Sequence, residues 1–138
     1  MKRRRDLARD WVRKAESDLL ALQFALDAGL ALDAACFHAQ QAAERLLKAY
    51  LIERDVDFPF THNLSRLIAL CRQQDATFDS LTPLATILTP YAVELRYDSE
   101  FWPEPDVARE ARGAVLAIKG FVLQRLSVDL QDNSAGPA

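Results

Sequence analysis

His38, Gln41, Arg45 and Lys48 recur at intervals of three and four residues, with Glu44 among them. That spacing sets them along one side of a helix. Imidazole can move a proton near neutral pH, and guanidinium and ammonium can hold a phosphate or carboxylate. Two further places carry the same chemistry, His62 and the pair Arg96-Tyr97. An anion site built from Lys48, His62, Arg96 and Tyr97 requires the helix of the stripe, the start of the next helix and the end of a later one to converge. Arg96 would present a planar fork to phosphate and Lys48 a mobile charge, while Tyr97 would stack on a base or bond a phosphate through its hydroxyl. Glu44, one turn before Lys48, is placed to neutralise it. The plainer alternative is a solvated face crossed by i,i+3 and i,i+4 pairs, which suits any single member better than it suits the set.

Other chemistries find no pattern. The two histidines lie in neither an HExxH nor a CxxC context, so a dedicated metal site is not expected. There is no GxSxG elbow and no Gly-rich phosphate loop, and no cofactor is implied. Cys36 and Cys71 both fall at apolar helical positions and read as buried thiols rather than a disulfide.

The elements that must position these groups are helical throughout. Ala8, Trp11, Val12, Ala15, Leu19, Leu22 and Leu26 predict a first helix over 6–28, ended by Gly29. Asp18 lies within a turn of this stripe, and the general habit of aspartate favours the surface for it. A central helix runs to about Arg54, with Asp33 as its N-cap and Cys36, Ala39, Ala43, Leu46, Leu47 and Tyr50 as its apolar face. Gln40 interrupts that face, either as a buried amide needing partners or as part of a surface another chain covers.

The loop 55–63 is aromatic, with Phe58 and Phe60 around Pro59, and should fold back on the bundle. Thr61 or Asn63 can cap a third helix whose stripe is Leu64, Leu67, Ile68 and Cys71; His62 at its start reads as a capping or packing residue. Thr82-Pro83 and Thr89-Pro90 each offer a capping hydroxyl before a proline. They predict a broken fourth region, one piece ending near Leu88 and another over 90–97, with Leu84, Leu88, Tyr91 and Leu95 inward. A last helix is predicted from Asp106 to about Val128, with Gly113 and Gly120 on one face where a second backbone could approach. The tail 129–138 has the composition of a disordered segment.

A chain of 138 residues suits one domain, here 1–128. Its net charge of −3 gives no general attraction for nucleic acid, so RNA is a less favoured partner. Lys2 to Arg5 form a local basic cluster, read as a solvated arm. No apolar run is long enough to span a membrane and the basic start lacks a signal-peptide core, which points to a cytoplasmic protein.

Four segments occur in one order: Trp11-x-x-x-Ala15-x-x-Asp18-Leu19, then Cys36-Phe37-x-Ala39-Gln40-Gln41-Ala42-Ala43-Glu44-x-x-x-Lys48-Ala49, then Thr61-His62-Asn63-Leu64, then Arg96-Tyr97. Together they resemble the HEPN domain, named for higher eukaryotes and prokaryotes nucleotide-binding, from about Leu7 to Leu126. Gln40, Gln41 and Glu44 carry the most specific part of the likeness. The resemblance implies an all-α, up-and-down four-helix bundle with an additional short helix, and commonly a homodimer. It also implies a minimal nucleotidyltransferase partner encoded nearby, in some cases as a toxin–antitoxin pair. Ribonuclease members carry an R-x(4–6)-H motif, and counted from Arg96 those histidine positions hold Phe101, Trp102 and Pro103. The reading is therefore a noncatalytic module that binds a nucleotide, a nucleotidyltransferase or both. The alternatives are a metal-independent ribonuclease toxin using Arg96 with an unconventional base, and a purely structural helical dimer.

Overall fold

The computed structural model describes residues 3–92 and 98–127. Among them it contains five α-helices, α1 Arg4–Ala28, α2 Leu32–Glu53, α3 Leu64–Gln74, α4 Thr82–Leu88 and α5 Pro105–Leu123, with 3-10 turns at Ala76–Leu81 and Thr89–Tyr91 and no strand. α1, α2, α3 and α5 form the up-and-down bundle, and α4 is the additional short helix.

α2 is the axis of the fold. Thirteen of its 22 residues are buried, against five of 25 in α1, because α1, α3 and α5 all pack on it. The alanines at 39, 42, 43 and 49 are fully buried, so three neighbours can approach without large side chains between the backbones. Larger residues complete the core at one end: Phe78 lies 4.5 Å from the Tyr50 ring and 5.0 Å from that of Phe121. Cys36 and Cys71 are free and buried, and desolvation pushes their thiols up to about 11 and about 12.

Both long helices close the same way. Gly29 at φ 67 ends α1 with Leu30 N donating to Ala25 O and Gly29 N to Leu26 O. Asp55 at φ 58 does the same for α2, with Val56 N donating to Leu51 O and Asp55 N to Ile52 O. The first closure corrects the expected cap. Ala31, at φ 53, becomes the N-cap residue of α2, so the helix begins before Asp33, which sits in its first turn.

Other expectations also change. The basic cluster is not a free arm from Arg3 onward, since the helix starts at Arg4, with Arg3 paired to Asp6 at 3.6 Å and Arg4 to Asp55 at 3.9 Å. The threonines before Pro83 and Pro90 do not cap; Thr89 Oγ1 instead donates back to Ala85 O at 2.7 Å, because the chain is already helical there. The fourth region is broken after Leu88 as expected, and Leu88 and Tyr91 face inward, whereas Leu95 lies outside the described residues. α5 starts at Pro105, whose fixed φ suits the first turn, and stops at Leu123 rather than near Val128. There Arg125 N and Leu126 N bond three residues back, to Val122 O and Leu123 O, and the chain turns off the helix. Gly113 and Gly120 are exposed, and a Cβ at either would meet nothing within 4 Å, so they admit no close approach inside the bundle. The tail 129–138 lies outside the described residues.

Candidate functional site

Two buried carboxylates organise the polar side of α2. Asp18, from α1, is only 5% exposed. Its Oδ2 accepts from Arg45 Nη1 at 2.6 Å and its Oδ1 pairs with His38 Nδ1 at 2.9 Å. The surface position expected for Asp18 is thus wrong: α1 packs along α2, and the aspartate falls between two cationic or donor heads of the stripe.

Glu44 is the second hub. Its Oε2 accepts from Lys48 Nζ at 2.9 Å, and its Oε1 pairs with His62 Nδ1 at 2.9 Å. An ionised carboxylate can only accept, so the Nδ1–H tautomer fits both histidines, with Nε2 left for other contacts. Gln40, fully buried, is the amide that needed partners. It donates from Nε2 to His62 O at 3.1 Å and to Glu44 Oε1 at 3.4 Å, and its Oε1 accepts from Gln41 Nε2 at 2.8 Å. Gln40 therefore ties the loop 55–63 to α2. Asn63 completes the junction by capping α3, its Oδ1 accepting from Arg66 N at 3.2 Å, while Thr61 Oγ1 accepts from Asn63 N.

Lys48 is 4% exposed. Its ammonium lies 5.6 Å from the ring centroids of Trp11 and Phe58 and 5.9 Å from that of Phe60. Three aromatic rings and a carboxylate share one cation, which offsets the cost of taking the charge out of water. The loop does fold back on the bundle, as its aromatics suggested: Phe58 packs on the core, whereas Phe60 remains 92% exposed beyond the ring face it offers Lys48.

The structure thus brings Gln40, Gln41, Glu44, Lys48 and His62 into one bonded network. Arg96 and Tyr97 lie outside the described residues. Of the residues standing at the ribonuclease histidine positions, Phe101 stacks on Tyr91 at 5.7 Å and Trp102 is largely exposed. Sequence reasoning misses Asp18 and the ring of Trp11 as members of the site, although both stand in the first segment of the family likeness. A cleft of about 280 Å³ opens beside the network, lined by Asp10, Trp11, Lys14 and Arg45. Among the described residues no cluster of three or more His, Cys, Asp or Glu could hold a metal ion, and no helix is long and apolar enough to cross a membrane.

The described helices form an all-α bundle with a polar seam where α1 packs on α2. A model of the HEPN domain matches residues 8–126, and the chain belongs to that family. Its fold is similar to that of ST0689, an archaeal HEPN homologue, at 24% identity and a TM-score of 0.70, covering 92% of this chain and 100% of that one. TT1696 from Thermus thermophilus is similar at 29% identity and a TM-score of 0.72, covering 86% of this chain and 98% of that one. No curated protein sequence matches.

Proposed function

We propose that this HEPN domain is a noncatalytic module that acts by binding a minimal nucleotidyltransferase, a nucleotide, or both, in the setting of a toxin–antitoxin pair. One observation carries the reading. At the positions where ribonuclease members place their histidine the chain has Phe101, Trp102 and Pro103, and Phe101 is held in an aromatic stack with Tyr91. None of these three side chains titrates near neutral pH as imidazole does, and losing such a proton-transfer group commonly costs about 10²–10⁴-fold in rate.

In the polar seam Glu44 pairs with Lys48 and His62, and Asp18 with His38 and Arg45. Asp18 and Glu44 are thereby committed to holding α1, α2 and the loop 55–63 together. The nucleotide-facing set in this reading is His62, Arg96 and Tyr97; Lys48, expected beside them, is 4% exposed and bonded to Glu44, so it steadies the junction rather than meeting a ligand, and Gln40, Gln41 and Glu44 fix His62 there.

The test is co-expression with a nucleotidyltransferase encoded beside the gene, followed by affinity capture, alongside incubation of the purified protein with single-stranded and structured RNA. Stable capture with intact RNA is the expected result. RNA cleavage that disappears in Arg96→Ala would instead establish the ribonuclease reading.

A further inference from the structure

We infer that residues 57–62 form a strap that opens from the bundle as a unit, and that Gln40, Glu44 and Lys48 on α2 are its clamp. The three stand four residues apart, so they line up along one side of the helix, and all three are buried. Gln40 Nε2 donates to His62 O at 3.1 Å, and Glu44 Oε1 pairs with His62 Nδ1 at 2.9 Å. Lys48 faces the rings of Phe58 and Phe60 with its ammonium, 5.6 and 5.9 Å from their centroids. A buried amide and a buried carboxylate carry a desolvation cost that apolar side chains at the same positions would avoid. The strap is what they hold.

Backbone bonding stops at both edges of this segment. Val56 N donates to Leu51 O where α2 closes, and Asn63 O accepts from Leu67 N where α3 begins. Among the described residues no backbone group from 57 to 62 bonds another backbone group, and Pro59 has no N–H to offer. Apolar anchoring is slight as well: Phe58 packs at the edge of the core, and Phe60 is 92% exposed. A segment with few backbone bonds and little buried apolar surface opens more readily than the domain around it unfolds.

Release changes what this side of the molecule presents. It takes the His62 imidazole off Glu44 and the two phenyl rings off Lys48, and the ion pair they covered comes to the surface beside Trp11. Closed, the strap shows an aromatic ring; open, it leaves an ammonium and a carboxylate. One chain thus has two surfaces, and the clamp sets the balance between them.

The experiment labels the full-length chain in short pulses, with N-hydroxysuccinimidyl acetate for amines and N-ethylmaleimide for thiols, in urea below the unfolding transition. Mass spectrometry reads three kinds of site: Lys48 under the strap, the exposed Lys14, and the buried thiols Cys36 and Cys71, which report opening of the bundle itself. Lys48 is expected to label more slowly than Lys14, with a shallow dependence on urea, while the thiols depend on it steeply because their exposure uncovers far more surface. Phe60→Ala should speed Lys48 labelling about twofold to fivefold and Gln40→Leu about tenfold, with the thiol rates left behind. Circular dichroism confirms that each variant is folded, and Phe60→Ala, a change to an exposed side chain, carries the decision if Gln40→Leu is not. Labelling of Lys48 with the same urea dependence as the thiols overturns the strap, since only global unfolding would then uncover the amine. So does a Lys48 rate equal to that of Lys14, or one that Phe60→Ala leaves unchanged or raises only in step with the thiols.

Discussion

Lys48 is a charge that the fold has taken out of water. Its partner Glu44 is equally buried, and three rings crowd the ammonium. Removing one member of such a pair strands the other, commonly at a cost of about 3–5 kcal/mol, whereas removing both charges together costs far less. Lys48→Met alone is therefore expected to destabilise the domain by that order. Glu44→Gln with Lys48→Met should recover most of the loss, since the amide can still bond His62 and the methionine can fill the ring cage. Urea denaturation of the two singles and the double decides it; simple additivity would mean that the pair is not coupled. The sequence shows that Glu44 and Lys48 meet, because one turn of helix separates them. Asp18 cannot be read in the same way: its partners lie 20 and 27 residues away, and only the packing of α1 on α2 brings them to it.

At the scale of elements, the junctions matter more than the helices. Helix periodicity locates α1, α2 and α3 well, since their buried stripes follow the apolar spacing. Where the chain turns, backbone closure decides instead. Ala31 displaces Asp33 as cap, and the 3-10 run Ala76–Leu81 has no periodic signal to announce it. That run is joined to the end of α5 by Asp75. Its Oδ1 accepts from Thr77 N at 3.0 Å and Thr77 Oγ1 at 2.6 Å, and its Oδ2 pairs with Arg125 Nε at 3.1 Å. These bonds, Thr77 first and Arg125 after it, hold the Asp75 carboxyl below its ordinary value of 3.8. A lowered carboxylate contributes stability above the unfolded value, and that contribution is lost as pH falls through the folded one. Asp75→Asn should therefore melt below wild type at pH 7, and the gap should close as the pH is lowered beneath about 4. A gap that persists in acid would assign the effect to packing rather than charge.

Among the described residues one side of the bundle is uncovered. Leu20 and Phe24 on α1 are 59% and 67% exposed, and Leu116 on α5 stands across a groove from Leu20. Gly113, Ala117 and Gly120 are also exposed on α5, and among the described residues nothing lies within 4 Å of a Cβ built on either glycine. Their spacing in the sequence marks a place for close backbone approach; since the bundle itself makes no use of it, a second copy of the chain is the partner it suits. The expected result is a dimer mass by light scattering at micromolar protein, falling toward the monomer in Leu20→Glu with Phe24→Glu. A monomer mass that does not change with concentration would rule out the dimer. Fold class is legible in the chain because helical spacing is a local property. The site is legible only in part, because its members come from α1, α2 and the loop after it, and their pairing is a matter of distance in space.

The chain has only two imidazoles, and each is bonded to a different buried acid, His38 to Asp18 and His62 to Glu44. The molecule thereby carries its own pair of magnetic-resonance reporters. The ring protons of His38 sense the Arg45 end of the seam and those of His62 the loop end, with no label or tag introduced. A two-signal spectrum recorded during any titration, with a nucleotide or a protein partner, would show at which end the newcomer settles before a single residue is changed.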